Sequence, residues 1–255
     1  MAKYIGYDKD FKLTGKVAII TGGGQGLGNA IAQLYDNKGA KVILFDVSPA
    51  VEEAAKATGK EVRGIVMDVT DTAQINAAVD RVAEEYGGID ILCNVAGLGQ
   101  LDPAEEITEE VWDRVMKVNL RGSFFMAQAV GKKMIAAGKG GKIINMASQA
   151  AVIGLWGHAC YGATKAGIVN LTKVLASEWG KYDINVNAIS PTVVSGPMTE
   201  EFWSGERRRD FLSKVPTGRF AEPDEIAACA LFLASSASDM ITGENLVIDG
   251  GYSAI

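Results

Sequence analysis

The chain repeats one pattern of hydrophobic and polar positions. Short runs rich in valine and isoleucine alternate with longer stretches whose apolar residues recur every three or four positions. The short runs do not alternate strictly between apolar and polar residues, as strands buried on both faces should not. They predict strands at residues 16–21, 41–46, 62–68, 89–97, 141–148, 184–190 and 244–250.

The stretch 71–88 shows the helical pattern most clearly, with its apolar residues on one stripe and its charged residues off that stripe. Asp71 and Gln74 have the spacing of a capping box, which predicts the start of this helix. The glycine pair at 87–88 predicts its end. Thr108, followed by two glutamates, predicts the start of another helix.

Strands that alternate with helices predict an α/β fold with a mostly parallel, seven-stranded sheet and helices on both faces. Right-handed crossovers then make it a doubly wound Rossmann fold. No linker, repeat or low-complexity tract divides the sequence, so we expect one domain over 1–255. Residues 192–217 lack a clear core pattern and predict an excursion over the carboxyl edge of the sheet, where open α/β sheets bind ligands.

Composition excludes several classes of function. The chain has 255 residues, of which 48% are hydrophobic, and a net charge of −6, so we expect no nucleic-acid partner. No apolar run is long enough to span a bilayer, and the N-terminus lacks the apolar core of a signal peptide. The cysteines at 93, 160 and 229 form neither a metal cluster nor a disulfide framework, so we expect no metal site and a cytoplasmic location.

The first predicted strand runs directly into the glycine-rich stretch TGGGQGLG, residues 21–28, and then into a predicted helix. Such a turn lets a pyrophosphate approach the backbone at the positive end of the helix dipole, although this spacing is looser than G-x-G-x-x-G. Asp46 ends the second strand about twenty residues on, where the acid that binds an adenosine ribose belongs. The alternatives are that residues 21–28 form an ordinary turn and that Asp46 is an aspartate of a turn at the end of the strand.

Asp46 also bears on the choice of cofactor. A carboxylate at this position repels a 2′-phosphate, and residues 21–28 contain no arginine or lysine to offset it. The sequence therefore favours NAD over NADP.

Tyr161 and Lys165 lie four residues apart in the stretch SQAAVIGLWGHACYGATKAG, residues 148–167, so on a helix they share one face. Taken alone, this spacing also fits an ordinary helix surface. An ammonium beside a phenol, together with the positive charge of an oxidised nicotinamide, favours the phenolate, and a base with a pKa nearer 7 is the better catalyst. We therefore expect Lys165 to lower the pKa of Tyr161.

Together these motifs resemble the short-chain dehydrogenase/reductase family, from about Lys12 to the C-terminus: T-G-x-x-x-G-x-G at the first turn, Asn-x-Ala-Gly at 94–97, and a serine followed by Tyr-x-x-x-Lys. The resemblance implies hydride transfer between a nicotinamide cofactor and a CH–OH group. It implies a general acid/base role for Tyr161, and Lys165 would lower its pKa and hold the nicotinamide ribose. Ser148 would bind the substrate oxygen, and Asn119 would hold a water that relays protons, although it also fits a helix-kinking residue.

The resemblance also implies which residues bind the cofactor. Asp68 and Val69 would flank the adenine, and 94–97 would brace the central strands. The full implied set is Gly22, Gln25, Gly26, Leu27, Gly28, Asp46, Asp68, Val69, Asn94, Ala96, Gly97, Tyr161, Lys165, Pro191, Thr192 and Val194. Thr192 stands where the family usually has glycine, and Gly196 where it has threonine, so the carboxamide contact is left to Ser195 or a backbone amide.

Three functions from different classes fit the sequence. The segment Pro-Thr-Val-Val at 191–194 resembles xylulose reductases and sugar-alcohol dehydrogenases, which favours a small polyol or sugar alcohol as the substrate. The alternative is a 3-oxoacyl-[acyl-carrier-protein] reductase, against which Asp46 and the acidic composition argue. A non-catalytic dinucleotide-binding protein would not need Ser148, Tyr161 and Lys165 together. His158 fits either a substrate contact or packing.

The end of the chain predicts association. The last predicted strand stops shortly before the terminus and leaves an apolar sheet edge, and such edges are usually paired or covered. The predicted helix 161–179 is apolar around more than one face, as a helix buried on two sides would be. Together with the pairing that the family resemblance implies, two such interfaces predict a homotetramer. The alternative is a monomer whose C-terminus covers its own edge.

Overall fold

The computed structural model describes residues 6–196, 199 and 202–254. One seven-stranded sheet runs through it, in the order β3-β2-β1-β4-β5-β6-β7, and every neighbouring pair is parallel. The strands are β1 Val17–Thr21, β2 Lys41–Asp46, β3 Val62–Val66, β4 Ile91–Asn94, β5 Gly141–Met146, β6 Ile184–Pro191 and β7 Asn245–Ile248. The strand order reverses between β1 and β4, which confirms the predicted doubly wound fold.

Helices connect successive strands and cover both faces of the sheet. In the described part of the chain they are α1 Gly26–Asn37, α2 Val51–Thr58, α3 Thr72–Tyr86, α4 Glu109–Val115, α5 Ser123–Ala137, α6 Ala159–Trp179, α7 Gly205–Ser213 and α8 Pro223–Ala234. A π-helical segment, Met116–Gly122, joins α4 to α5, and a short 3₁₀ turn, Gln149–Ala151, follows β5.

Successive residues of a central strand enter different cores. Ile20 of β1 lies in the core that includes Tyr35 of α1, and Ile19 lies in the opposite core with Val79 of α3. All of these side chains are buried. Full burial of an isoleucine contributes about 1.5–3 kcal/mol, so both faces of the strand stabilise the sheet. This is the physical reason that the strands carry no strict alternation.

The structure corrects some predicted boundaries. The predicted strand 89–97 is shorter, because after Asn94 the backbone N–H groups of Val95 and Ala96 donate to the Thr21 hydroxyl, each at 3.1 Å. The chain therefore leaves the sheet there and forms a turn at its carboxyl edge.

The predicted capping box of α3 is only half formed. The Asp71 carboxylate accepts from the N–H groups of Ala73 and Gln74, but the Gln74 side-chain oxygen accepts from the Asp68 N–H at 3.1 Å instead of closing the box. Gly87 ends the helix with φ of 76°, as predicted.

The predicted excursion over the sheet edge contains α7. It begins where Val194 bridges to Ala221, and its residues 197–198 and 200–201 lie outside the described part of the chain. Trp203 packs against Phe211 with ring centroids 4.6 Å apart, and Tyr252 stacks on Phe211 at 5.2 Å. An aromatic cluster thus ties α7 to the C-terminal turn.

Some features bear on what the protein can bind. No helix in the described ranges is long and apolar enough to cross a membrane. Among the same residues, no group of histidine, cysteine and acidic side chains has the arrangement of a metal site. Cys93, Cys160 and Cys229 are all free thiols.

Candidate active site at the carboxyl edge of the sheet

Close backbone packing shapes the glycine-rich turn between β1 and α1. A Cβ on Gly28 would lie 2.3 Å from the Gly22 carbonyl oxygen, and one on Gly22 would lie 2.8 Å from the Ala96 Cα. Gly26 has φ of 56°, in the left-handed region that favours glycine. Gln25 at the N-cap makes no side-chain cap, so the first N–H groups of α1 remain available to an anion. Leu27 is half-buried beside them.

Asp46 lies directly beside this turn. One of its carboxylate oxygens accepts from the Gly24 N–H at 3.1 Å, and the other accepts from the Ser48 N–H at 3.0 Å. Both bonds fix the carboxylate at the carboxyl end of β2.

Asp68 and Val69 follow β3 at the same edge. The Asp68 carboxylate accepts from the Thr70 N–H at 2.8 Å. Val69 packs on the π-helical segment, where a Cβ on Gly122 would lie 3.1 Å from the Val69 side chain. Both are half-buried, so neither is closed off from a ligand.

The π-helical segment presents Asn119 to the turn after β4. Its side-chain oxygen accepts from the Leu98 N–H at 2.7 Å, and its amide nitrogen donates to the Leu98 carbonyl at 3.0 Å. A Cβ on Gly97 would lie 3.3 Å from the Asn119 oxygen and 3.6 Å from the Lys165 Nζ. The structure therefore brings Asn119, Gly97 and Lys165 together, and Asn119 does lie in a distorted helix.

Asn94 connects neighbouring elements of the sheet. Its buried amide nitrogen donates to the Asn145 side chain at 2.9 Å and to the Ser123 carbonyl at 3.1 Å. These bonds join β4 to β5 and to α5 below the site.

Ser148, Tyr161 and Lys165 meet where β5 and α6 approach each other. Ser148 lies two residues beyond the end of β5, and its hydroxyl lies near enough to the Tyr161 phenol to favour the phenolate. The Lys165 Nζ lies 5.5 Å from the centre of the Tyr161 ring and donates to the Met146 carbonyl at 2.7 Å. The His158 ring lies edge-on to the Tyr161 ring at 5.9 Å.

Pro191 ends β6, and Thr192 follows it with its N–H bonded to the Ile248 carbonyl at 2.9 Å. The Thr192 hydroxyl is buried and has no hydrogen-bond partner among the described residues. The Ser195 hydroxyl instead donates to Glu222 at 3.1 Å. Of the two hydroxyls near the expected carboxamide contact, Thr192 is thus the one still free to bind.

Comparison with known proteins agrees with this arrangement. A family model described as Enoyl-(Acyl carrier protein) reductase matches residues 22–253. The NAD-dependent glycerol dehydrogenase of Listeria innocua is 50% identical over 248 residues, which are 97% of each chain. The D-threitol dehydrogenase of Mycolicibacterium smegmatis is 50% identical over 256 residues, 98% of each. The crystal structure of levodione reductase superposes with a TM-score of 0.91 at 36% identity and covers 95% of this chain and 99% of that one.

The chain belongs to the short-chain dehydrogenase/reductase family. The predicted family and the predicted enzyme class are therefore confirmed. In this short-chain dehydrogenase/reductase, the described residues that were expected to form the site lie at the carboxyl edge of the sheet or directly below it.

Burial opposes the expected ionisation of Tyr161 in the protein on its own. The pKa of Tyr161 is raised, because burial disfavours the phenolate more than the Ser148 hydroxyl favours it. Burial also lowers the pKa of Lys165 from 10.5 to about 8. The Lys165 ammonium is bonded to the Met146 carbonyl, and in this position it does not reverse the effect of burial on Tyr161.

The structure adds residues that the sequence did not single out. The Thr164 hydroxyl donates to the Tyr161 carbonyl at 2.7 Å and accepts from the Asn119 amide at 3.3 Å. Thr164 therefore links the Tyr161 helix to the π-helical segment. Gln149, the neighbour of Ser148, is 2% exposed. Spacing alone gives no signal for either residue, since the contacts of Thr164 and the burial of Gln149 arise only in the fold.

Proposed function

We propose that this protein transfers a hydride between NAD(H) and a secondary alcohol or ketone, with a small polyol or sugar alcohol as its substrate. The observation that carries the proposal is the meeting of Ser148, Tyr161 and Lys165 beside a glycine-rich turn at the switch point of the sheet. The names of the glycerol and threitol dehydrogenases, each 50% identical to this chain, support the substrate class.

The residues present fit a nicotinamide dinucleotide. The uncapped start of α1 suits a pyrophosphate, and the fixed Asp46 carboxylate suits two ribose hydroxyls and repels a phosphate. The buried, unpartnered hydroxyl of Thr192 suits a carboxamide. Bound NAD supplies the carbon that accepts the hydride. The full set proposed to hold it is Gly22, Gln25, Gly26, Leu27, Gly28, Asp46, Asp68, Val69, Asn94, Ala96, Gly97, Tyr161, Lys165, Pro191, Thr192 and Val194.

Tyr161 moves the proton of the reaction. In the oxidation direction its phenolate takes the proton from the substrate hydroxyl, and in the reduction direction its phenol returns that proton to the ketone oxygen. Ser148 holds the same oxygen, since its hydroxyl lies near the Tyr161 phenol. The raised pKa of Tyr161 keeps the phenol protonated in the protein alone, so a nearby positive charge is needed to favour the phenolate.

Lys165 and Asn119 lie on the route by which that proton reaches solvent. Both flank Gly97, which is exposed, so the Lys165 ammonium has a path out of the site along the turn that Asn119 holds. We propose that Asn119 fixes this turn through Leu98 and orders the water that carries the proton.

The alternative function, a 3-oxoacyl-[acyl-carrier-protein] reductase, has less support. Both relatives described above are named for polyols, and the fixed Asp46 carboxylate disfavours the NADPH that such reductases usually take.

A substrate panel tests the proposal. Glycerol, D-threitol, simple secondary alcohols and a short 3-oxoacyl thioester are assayed with NAD(H) and NADP(H) by nicotinamide absorbance. We expect the highest kcat/KM for a polyol with NAD. Faster turnover of the thioester than of every polyol would instead favour the acyl reductase.

Asp46 is expected to set the cofactor preference. Replacing it with arginine removes the repulsion of a 2′-phosphate and adds an attraction, so the ratio of kcat/KM for NAD over NADP should fall about a hundredfold or more. Asp113→Arg, at an exposed position of α4, makes the same change of charge away from the turn and serves as the control. A wild-type preference for NADP, or an unchanged ratio in Asp46→Arg, would contradict the assignment.

We further propose a homotetramer. Val247 of the terminal strand β7 is 36% exposed, and α6 carries exposed alanines at 159, 163 and 166. Two such surfaces allow two different two-fold contacts. Sedimentation equilibrium should give about four times the chain mass of 26.9 kDa. A single species at the chain mass would contradict this proposal, and one at twice that mass would leave one interface.

Two broader assignments also remain proposals. We propose one catalytic domain over 1–255 with a substrate-covering excursion at 192–217, which is supported by a single sheet that draws strands from both ends of the chain. We propose a cytoplasmic location, which is supported by the three free thiols.

A further inference from the structure

Gln149 has a buried side chain whose hydrogen-bonding groups are unused. It begins the 3₁₀ turn after β5, and neither its amide nitrogen nor its amide oxygen has a partner among the described residues. Its backbone carbonyl, in contrast, accepts from the N–H groups of Val152 and Ile153 at 3.0 and 3.1 Å. Only the side chain of Gln149 therefore lacks hydrogen-bond partners.

The turn places Gln149 directly after Ser148 and packs against the helix that carries Tyr161. Ser148, its neighbour, accepts from the Ala150 N–H at 3.2 Å, which closes the turn. The Ala150 carbonyl lies against α6, where a Cβ on Gly162 would be 3.1 Å away. Gly162 directly follows Tyr161, so the turn that begins at Gln149 packs on α6 next to Tyr161.

An amide buried in this way is costly. Leaving a buried polar group without a partner costs more free energy than a typical hydrogen bond contributes on balance. The other amides of the site are bonded more fully: both polar atoms of Asn119 and both of Asn145 have partners, and Asn94 lacks a partner only at its side-chain oxygen. Among the described residues, Gln149 is thus the buried amide of the site with neither polar atom paired.

We propose that Gln149 binds a second hydroxyl of the substrate, the one on the carbon next to the reacting carbinol. This inference rests on the proposed function. An amide offers donors and an acceptor, and a hydroxyl both donates and accepts, so the two are complementary. Ser148 and Gln149 are consecutive residues and would hold oxygens on consecutive carbons. A simple alcohol leaves the Gln149 amide unpaired, so Gln149 selects vicinal diols over mono-alcohols.

Butane-2,3-diol and butan-2-ol test this directly, because they share the reacting CH(OH)CH₃ group and differ in the neighbouring hydroxyl. In Gln149→Met, which keeps the length of the side chain, kcat/KM for the diol should fall about 10- to 100-fold, while that for butan-2-ol should change by less than about threefold. Gln33→Met makes the same change on an exposed position of α1 and should leave both values unaltered.

Binding measurements complete the test. The affinity for NADH, followed by fluorescence, should be the same in wild type and Gln149→Met. Equal loss of kcat/KM on both alcohols would overturn the proposal, since it would mean that Gln149 only supports Ser148 or holds a water. If Gln149→Met does not fold, Gln149→Glu keeps the shape and an acceptor but loses the donor, and a smaller selective loss on the diol is expected.

The proposed function can fail separately. If the wild type oxidises neither alcohol, calorimetric titration of butane-2,3-diol into the NADH-loaded protein decides the inference. Binding by the wild type that is lost in Gln149→Met would support it, and absent binding or equal binding to the two proteins would overturn it.

Discussion

Replacing Tyr161 with phenylalanine is expected to reduce kcat by about a thousandfold or more while leaving NAD(H) affinity nearly unchanged. The variant loses the only atom of this side chain that can exchange a proton with the substrate oxygen. It keeps the ring that packs against His158 and lies beside the Lys165 ammonium, so the surrounding fold should persist. Initial rates with the best polyol and a fluorescence titration with NADH measure the two quantities.

Tyr182→Phe is the matched control, since it removes a hydroxyl from a tyrosine that is 38% exposed. It should retain wild-type turnover. A Tyr161→Phe enzyme that keeps about a tenth of wild-type kcat would contradict the general acid/base assignment, because proton transfer by a positioned side chain contributes about 100- to 10,000-fold. The raised pKa of Tyr161 also gives a direction in pH: the oxidation rate should rise with pH as the phenolate fraction increases.

The strands could be predicted because burial on both faces leaves a strong local signal. The predicted run 41–46 coincides with β2. The run predicted at 89–97 was too long, since Val95 and Ala96 are as apolar as the strand before them. What ends β4 is the bond of their N–H groups to Thr21, more than seventy residues earlier in the chain, and no local pattern records such a contact.

Some features of the candidate site could likewise be predicted from the local sequence, and others could not. That Tyr161 and Lys165 share one helix face could be predicted from their spacing in the sequence, because helix geometry alone determines it. Other features depend on how separate elements pack. Examples are the hydrogen bonds between Asn119 and Leu98 and the bond from Lys165 to Met146. The effect of burial on the pKa of Tyr161 could not be predicted for the same reason, since the burial of a side chain is not evident from a four-residue spacing.

Lys165 is expected to affect the pH dependence of protein stability as well as turnover. Its ammonium is buried and bonded to the Met146 carbonyl, and burial lowers its pKa from 10.5 to about 8. Between these two values the unfolded chain holds the proton and the folded protein has released it, so the free energy of unfolding rises with pH. The stability contributed by this group is thus fully present above pH 10.5 and is lost as the pH falls through about 8.

Lys165→Met removes this titration. Relative to the variant, the cofactor-free wild type should therefore gain about 2 kcal/mol of unfolding free energy between about pH 7 and about pH 9.5, measured by urea unfolding at both values. Turnover should fall about a hundredfold or more, because the charge that favours the Tyr161 phenolate is gone. Lys173→Met, on the exposed side of the same helix, is the control and should show neither effect. If wild type and Lys165→Met kept the same difference in stability at the two pH values, Lys165 would not be a desolvated ammonium. A variant that lost the pH dependence but kept full turnover would show that this buried charge does not tune Tyr161.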